Sequence, residues 1–376
     1  MNNILITGGA GFIGSNLSLE LKSKGYKVTV FDNLSKQIHG DIKDSVLYNS
    51  IKGKVKFILG DICNREQFEK ALRGQDAVIH LASETGTAQS MYEITRYNSV
   101  NIIGTANLLD ILSKTNHNIK KIIVASSRSI YGEGKYLCDN HGFVYPSKRE
   151  ELNMLSSNFD LNCDICSEKL VLQATSEDSK IDPSSIYGIT KQHQEKMILL
   201  IGKSLNIPAV SLRFQNVYGP GQSLSNPYTG ILSIFSTRIL NGNNIDVYED
   251  GNESRDFIFI DDAIQATILA LESNEANHQI FNVGSGIPTT VLSVANSLKK
   301  LFNSKIKINI SGEYRQGDIR HNYADISKIK KLLSFNPKYN FSKGVKKFVK
   351  WVNKQNIQED NYEKSIKELK KKGLIK

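Results

Sequence analysis

No stretch of the sequence is apolar over the roughly 20 residues that a bilayer crossing needs, and no basic, apolar, small-residue leader opens it. The chain runs directly into an apolar segment at Ile4. A membrane partner is therefore not expected, and a cytoplasmic protein is. Cysteine is scarce, four in 376 residues, which leaves little for a disulfide framework. In a cytoplasmic protein those thiols stay reduced. Internal repeats and low-complexity tracts are also missing, which excludes repeat arrays and biased disordered segments.

Basic charge is plentiful. Lys and Arg number 48 against 38 Asp and Glu, a formal charge of +10 with a pI near 9.2. Such a balance suggests nucleic acid as one partner. It is not expected here, because the lysines are spread along the chain and the densest run, Lys370, Lys371 and Lys372, is terminal. Nor are basic and aromatic residues interleaved as a single-strand-binding surface needs. A small anionic substrate suits the same charge. The composition, 40% hydrophobic and 23% charged, is that of an ordinary globular chain. Its length allows two domains or one large one.

Short apolar runs at 4–7, 27–31, 55–59, 77–81, 122–125 and 209–213 alternate with helical patterns such as 13–24, 65–72 and 100–113. Runs rich in Val and Ile suit strands buried on both faces. Strand–helix alternation implies right-handed crossovers, hence an α/β doubly wound parallel sheet with ligands at the carboxyl ends of its strands. A Rossmann domain is expected over 1–132, 176–218 and 257–282. Residues 133–175 lack clear periodicity, hold three of the four cysteines and read as an insertion. Residues 219–256 and 283–352 read as a smaller substrate-binding domain, and 353–376 as a charged, solvated tail.

The run TGGAGFIG at 7–14 sits between a strand and a helix. Gly8, Gly11 and Gly14 permit a sharp turn and close approach of backbone to a pyrophosphate, and the helix N-terminus offers free N–H groups. Asp32, ending the next strand, can accept from both ribose hydroxyls and would repel a 2′-phosphate, which favours NAD over NADP. Asp61, in GDI, either meets the adenine or simply closes a strand-end turn. Tyr187 and Lys191 form a YxxxK pair, one face of a helix. A lysine beside a phenol favours the phenolate and lowers the tyrosine pKa. Ser127, ending the strand IIVASS, can reach the same substrate oxygen.

Together these motifs resemble the extended short-chain dehydrogenase/reductases, specifically the NAD-dependent nucleotide-sugar epimerases and dehydratases. The resemblance spans roughly residues 3–352: TGGAGFIG, FDN, GDI, HLA, NIIGT, ASSRSIYG, YGITK, RFQNVYGP, SRDFIFIDD, FNVGSG and YRQGDIRHNYAD. It implies that Ser127, Tyr187 and Lys191 are catalytic. It implies further that Phe12, Ile13, Asp32, Asn33, Asp61, Ile62, Leu81, Ala82 and Asn101 contact NAD. Asn216, Arg255 and Arg315 match positions that hold a substrate diphosphate, and Tyr248 falls where the family stacks its nucleobase. Gln215 replaces an aromatic common beside the nicotinamide. The family usually dimerises through the helices that here carry 100–113 and 187–201, so a homodimer is expected.

Family dehydratases carry an Asp–Glu pair after the Ser, and decarboxylating members a Glu before VYG. Here Arg128, Ser129 and Ile130 follow Ser127, with no acid to protonate a leaving hydroxyl. The Cys or Lys base of a 3,5-epimerase is not evident either. A 4-epimerase working by transient C4 oxidation is the expectation. The segments ETGTAQSMYEI and GQSLSNPYTG and the insertion resemble the subgroup acting on dTDP-L-rhamnose to give dTDP-6-deoxy-L-talose. A UDP-hexose or UDP-uronate 4-epimerase is the alternative. A non-catalytic NAD-binding regulator, from another class, would be expected to lose the Tyr or the Lys.

Cys138–x2–His141 and Cys163–x2–Cys166 have the spacing of paired metal knuckles, a Cys3His set suited to structural zinc. A remnant site without metal and a redox pair are the other readings. Cys63 reads as buried core.

Overall fold

The computed structural model describes residues 1–147, 149–228 and 230–376. At its centre is a seven-stranded parallel sheet. Across it lie Ile280–Val283, Ala209–Phe214, Lys121–Ser127, Ala77–His80, Asn3–Thr7, Lys27–Asp32 and Lys56–Leu59. Alternation splits each strand between two cores: Ile4 and Ile6 face one, Leu5 the other. The second core is closed by Phe68, Ala71 and Leu72 of helix Arg65–Leu72, Leu108 and Leu112 of helix Gly104–Lys114, and Ile198 of helix Ile186–Ser204. Helices Phe12–Ser23 and Ile260–Glu272 cover the first. With apolar side chains taken up on both faces, the sheet offers its carboxyl edge to ligands. Strand order reverses beside Asn3–Thr7, whose Thr7 pairs with Phe31 on one side and His80 on the other. A crevice opens at such a switch point.

The expected strands appear within one or two residues of their sequence bounds. The helical pattern at 100–113 departs from expectation: Asn98–Ile103 is a π-turn that leads into Gly104–Lys114. The wider turn carries Asn101 into the interior. There its amide accepts from Glu84 N at 2.8 Å and donates to Thr190 Oγ1 at 2.9 Å.

A smaller layer stands over the carboxyl edge. Ser254–Phe259 pairs with Asn216–Tyr218, Pro288–Thr290 and His321–Asn322, and Ile245–Val247 pairs with Ile308–Ile310. The 133–175 insertion, which lacks periodicity in sequence, folds as an antiparallel sheet. Tyr136–Cys138 lies between Gly142–Val144 and Val171–Leu172, around a small core of Tyr136, Cys138, Leu161, Cys163 and Leu170. Strands of two or three residues are too short to leave a period-2 signature.

The end of the chain is not a solvated tail. Helix Tyr362–Lys371 buries Tyr362, Ser365 and Leu369. The last residues add an antiparallel edge: Tyr314 N donates to Lys376 O at 2.9 Å and Gln316 N to Leu374 O at 2.9 Å. The many lysines hide an apolar seam, Tyr362 and Leu369, two turns apart on one face. Cys63, expected in the core, is exposed and donates to Ser99 O.

Candidate active site

The crevice holds a cavity of about 420 Å³. At one end lie Gly8, Gly11, Phe12, Ile13, Gly14, Asp32, Asn33, Asp61, Ile62, Leu81 and Ala82; at the other lie Ser127, Tyr187, Lys191, Gln215 and Asn216. Gly8 has φ +65°, and a Cβ there would meet Ala82 N at 2.7 Å, so the turn requires glycine. A Cβ on Gly14 would run into the carbonyl oxygen of Gly8. Asp32 accepts from Ala10 N at 3.0 Å and Leu34 N at 2.8 Å, which fixes its carboxylate at the strand end. Burial raises its pKa, opposed by those N–H groups and His39. Asp61 lines the cavity and also closes its turn, accepting from Cys63 N at 2.8 Å and Asn33 Nδ2 at 3.0 Å.

These groups fit a dinucleotide: glycine backbone for the pyrophosphate and a carboxylate for the ribose. Gln215 adds a detail at the far end. Its Oε1 and Nε2 are both buried in the cavity wall without a protein partner. A buried amide left unpaired costs free energy, and one donor beside one acceptor complements a carboxamide. Asn101 differs from expectation. It is fully buried and does not line the cavity; its amide ties the Glu84 loop to the Tyr187 helix.

Ser185 caps helix Ile186–Ser204 by accepting from Gly188 N at 3.1 Å. That helix carries Tyr187 and Lys191 to the cavity, and Ser127 arrives from the end of the adjacent strand. The Ser127 hydroxyl donates to Ser129 Oγ at 3.2 Å. Burial raises the Tyr187 phenol, opposed by the Ser127 hydroxyl and the Arg128 guanidinium. Lys191 is not the group that lowers it. Its ammonium donates to Gln194 Oε1 at 2.8 Å and Ser83 Oγ at 3.3 Å, and burial pulls it down to about 7. The expected lowering of the tyrosine by the lysine is not seen: burial raises the phenol and lowers the ammonium.

Arg128 is the residue the sequence undervalued. By sequence alone it marks only the lack of an acid after Ser127. Its Nε donates to Asn216 Oδ1 at 2.7 Å, which fixes the amide of a residue that lines the cavity. Burial, and then the nearby Arg255, lower the guanidinium to about 9. Arg255 itself lies behind this wall. Its Nη atoms donate to Ser254 O, Arg320 O, Ile319 O and Asp318 Oδ1 at 2.6–2.9 Å. Arg315 lines a second cavity of about 190 Å³ with Glu133, Arg149 and Asp318, and its guanidinium stacks 5.1 Å from the Tyr248 ring. Tyr248 in turn meets Tyr362 of the C-terminal helix, hydroxyl to hydroxyl, at 3.3 Å. Neither the Asp318 counter-charge nor Tyr362 was singled out in sequence. DIR in the YRQGDIRHNYAD motif offered a signal for the first, and nothing offered one for the second.

Cys138, His141, Cys163 and Cys166 converge, their ligand atoms all within 4.8 Å of one another. Glu249, Asp250 and Glu253 also cluster, but Glu249 and Asp250 are taken up by Arg320.

A glycine-turn dinucleotide cradle on a doubly wound sheet, with Ser, Tyr and Lys at its far end, defines a nucleotide-cofactor oxidoreductase-type enzyme. Residues 4–148 and 167–284 match the model of the NAD dependent epimerase/dehydratase family, and the chain belongs to that family. It is 33% identical over 351 residues to a dTDP-L-rhamnose 4-epimerase of Burkholderia thailandensis, covering 93% of this chain and 94% of that one. Its structure is similar to that of UDP-glucose 4-epimerase from Thermotoga maritima with UDP-glucose, at TM-score 0.76 and 29% identity, over 94% and 99% of the two chains. UDP-glucuronic acid 4-epimerase from Bacillus cereus, in complex with UDP-glucuronic acid and NAD, matches at TM-score 0.74 and 27% identity, over 93% and 99%.

Proposed function

We propose that this protein is an NAD-dependent nucleotide-sugar 4-epimerase that interconverts dTDP-L-rhamnose and dTDP-6-deoxy-L-talose. The observation that carries the 4-epimerase reading is the chemistry of the reacting end. Ser127, Tyr187 and Lys191 meet there, while the acids lining the cavity among the described residues are Asp32, Asp61 and Glu84. Asp32 is held by backbone at the ribose end, and Glu84 is paired with Arg96 at 2.7 Å. Among the described residues no carboxyl group lining the cavity adjoins Ser127, so elimination of water lacks an acid for the leaving hydroxyl. NAD, held by the glycine turn and Asp32, would supply a reversible hydride acceptor for C4 of the sugar. Tyr187 takes the 4-hydroxyl proton and later restores it, and Ser127 holds that oxygen. Lys191, one helical turn from Tyr187, offers its ammonium to the cofactor ribose. Asn216, oriented by Arg128, donates to the substrate diphosphate, with Arg255 and Arg315 supplying positive charge nearby. Asp32 selects NAD over NADP.

The sugar is read from the 33% identity to a dTDP-L-rhamnose 4-epimerase. A second reading, a UDP-uronate, rests on Arg128: a half-buried guanidinium one residue beyond Ser127, short of counter-charge, suits a sugar carboxylate. Proton NMR on a panel of dTDP-L-rhamnose, UDP-glucose and UDP-glucuronate decides between them. Inversion at C4 of dTDP-L-rhamnose is expected; turnover of the uronate alone would select the second reading.

The protein is further proposed to act as a homodimer. Ile103, Ile189 and Leu200 are exposed on the two helices that the family uses for pairing. Light scattering should give twice the chain mass. No described helix is long and apolar enough to cross a membrane.

A further inference from the structure

Cys138 Sγ lies 3.6 Å from Cys166 Sγ and 3.5 Å from His141 Nδ1, and Cys163 Sγ lies 3.6 Å from the same nitrogen. A disulfide needs about 2.05 Å between sulfurs. A tetrahedron with metal–sulfur bonds of about 2.3 Å and a metal–nitrogen bond of about 2.05 Å has edges of about 3.8 and 3.6 Å. The backbone agrees. N–H groups of Asn140 and His141 point at the Cys138 sulfur, and those of Ile165 and Cys166 at Cys163. Each half is therefore a turn that wraps its first sulfur.

Two arms run from this cluster towards the wall behind the cavity. Asp164, between two of the cysteines, accepts from Ser147 N at 3.0 Å. Two residues on, Arg149 donates to Glu249 Oε1 at 2.7 Å and to the carbonyl of Asp318 at 2.8 Å. Asp160, just before Cys163, pairs with Arg320 at 3.0 Å, and Arg320 also clasps Glu249 and Asp250. The two arms thus grip residues 318 and 320, next to Arg315, and hold Glu249 beside Tyr248.

We propose that Cys138, His141, Cys163 and Cys166 bind one zinc ion, and that the zinc-closed module is a brace that sets the strap 315–320 for the nucleotide diphosphate. The first half stands on the cluster alone; the second rests on the reading that Arg315 and Arg255 serve the diphosphate. Loading Zn2+ onto three thiols and a neutral imidazole releases three protons and leaves a centre of charge −1. All four positions are filled by protein, so the ion is structural. Arg149 acts as a positioning residue.

Full-length protein, purified without chelator, is assayed for metal and reconstituted with cobalt. One zinc per chain is expected, with the thiolate-to-cobalt charge-transfer band and intense visible bands of a tetrahedral sulfur-rich site. A stoichiometry near zero that added zinc does not raise would overturn the site. Cysteine variants risk misfolding, so the brace is tested by stripping zinc from the folded protein with a mercurial, and separately with Arg149→Ala and Arg149→Lys. Affinity for dTDP and UDP should weaken by about tenfold, the scale of a misplaced charged hydrogen bond. Bound NAD should be unchanged, KM should rise more than kcat falls, and Arg149→Lys should recover part of the loss. Unchanged nucleotide affinity in the stripped protein and in Arg149→Ala would overturn the brace and leave the zinc site standing. If neither nucleotide binds the zinc-loaded protein, the nucleotide-sugar reading fails and takes the brace with it; the metal count still decides the site.

Discussion

In the proposed reaction three side chains carry the chemistry, and each is held by a different device. Ser127 ends a strand, Tyr187 begins a capped helix, and Lys191 follows one turn later with its ammonium on Gln194. Tyr187→Phe removes only the acid–base oxygen. It should cut kcat by about a hundredfold or more, with dTDP affinity measured by calorimetry unchanged. Arg128→Met keeps much of the volume and deletes the charge. It frees Asn216 to turn its amide, so KM should rise by about tenfold in steady-state assays, more than kcat falls. These residues differ in how readable they were. YxxxK, the terminal Ser and the glycines announce themselves because their spacing follows from helix and turn geometry. Arg128 could be seen but not interpreted, since its role depends on Asn216, 88 positions away. The Tyr187 environment is not legible for a related reason: spacing gives neighbours, whereas burial, which here decides both pKa shifts, comes from the whole fold.

At the level of elements, long buried strands were legible and short ones were not. The runs at 4–7 and 122–125 show as dense Val and Ile because both faces of the central sheet are covered. The strands of the insertion have two or three residues and owe their place to the cysteine turns and five apolar side chains. The C-terminal helix looks solvated in sequence because lysines dominate its composition while Tyr362 and Leu369 do the packing. Docked there, Tyr362 and the Lys376 backbone cover Tyr248, Tyr314 and Arg315, the last two of which line the second cavity and the first and last of which are proposed to serve the nucleotide. Removal of residues 361–376 should therefore raise KM for the nucleotide sugar in kinetic assays while NAD content stays the same. The helix cap gives a second prediction: Ser185→Ala should lower stability by about 1 kcal/mol in urea unfolding.

Across the molecule, the two layers are joined through charge. Arginines 149, 255, 315 and 320 meet acids 133, 249, 250 and 318 in the wall between the insertion and the substrate side. Asp318 and Asp250 are held below the ordinary carboxylate value of 3.8, Asp318 by Arg255 and Arg315 against its burial, Asp250 by hydrogen bonds from Arg320. A carboxylate depressed in the folded state binds fewer protons there than when unfolded. Its stabilisation is complete above the unfolded value and is lost as pH falls below it. Unfolding free energy should therefore drop as pH falls below about 4, and the slope measured by denaturant titration should be shallower in Asp250→Asn.

The central claim concerns what enters and leaves the sugar. If C4 is oxidised and reduced by one cofactor in a closed site, the hydrogen that leaves C4 is the one that returns. Turnover of dTDP-L-rhamnose in deuterium oxide, followed by NMR, should give the C4-inverted sugar with no deuterium at any carbon. Deuterium at C5, or no inversion at C4, would contradict the account.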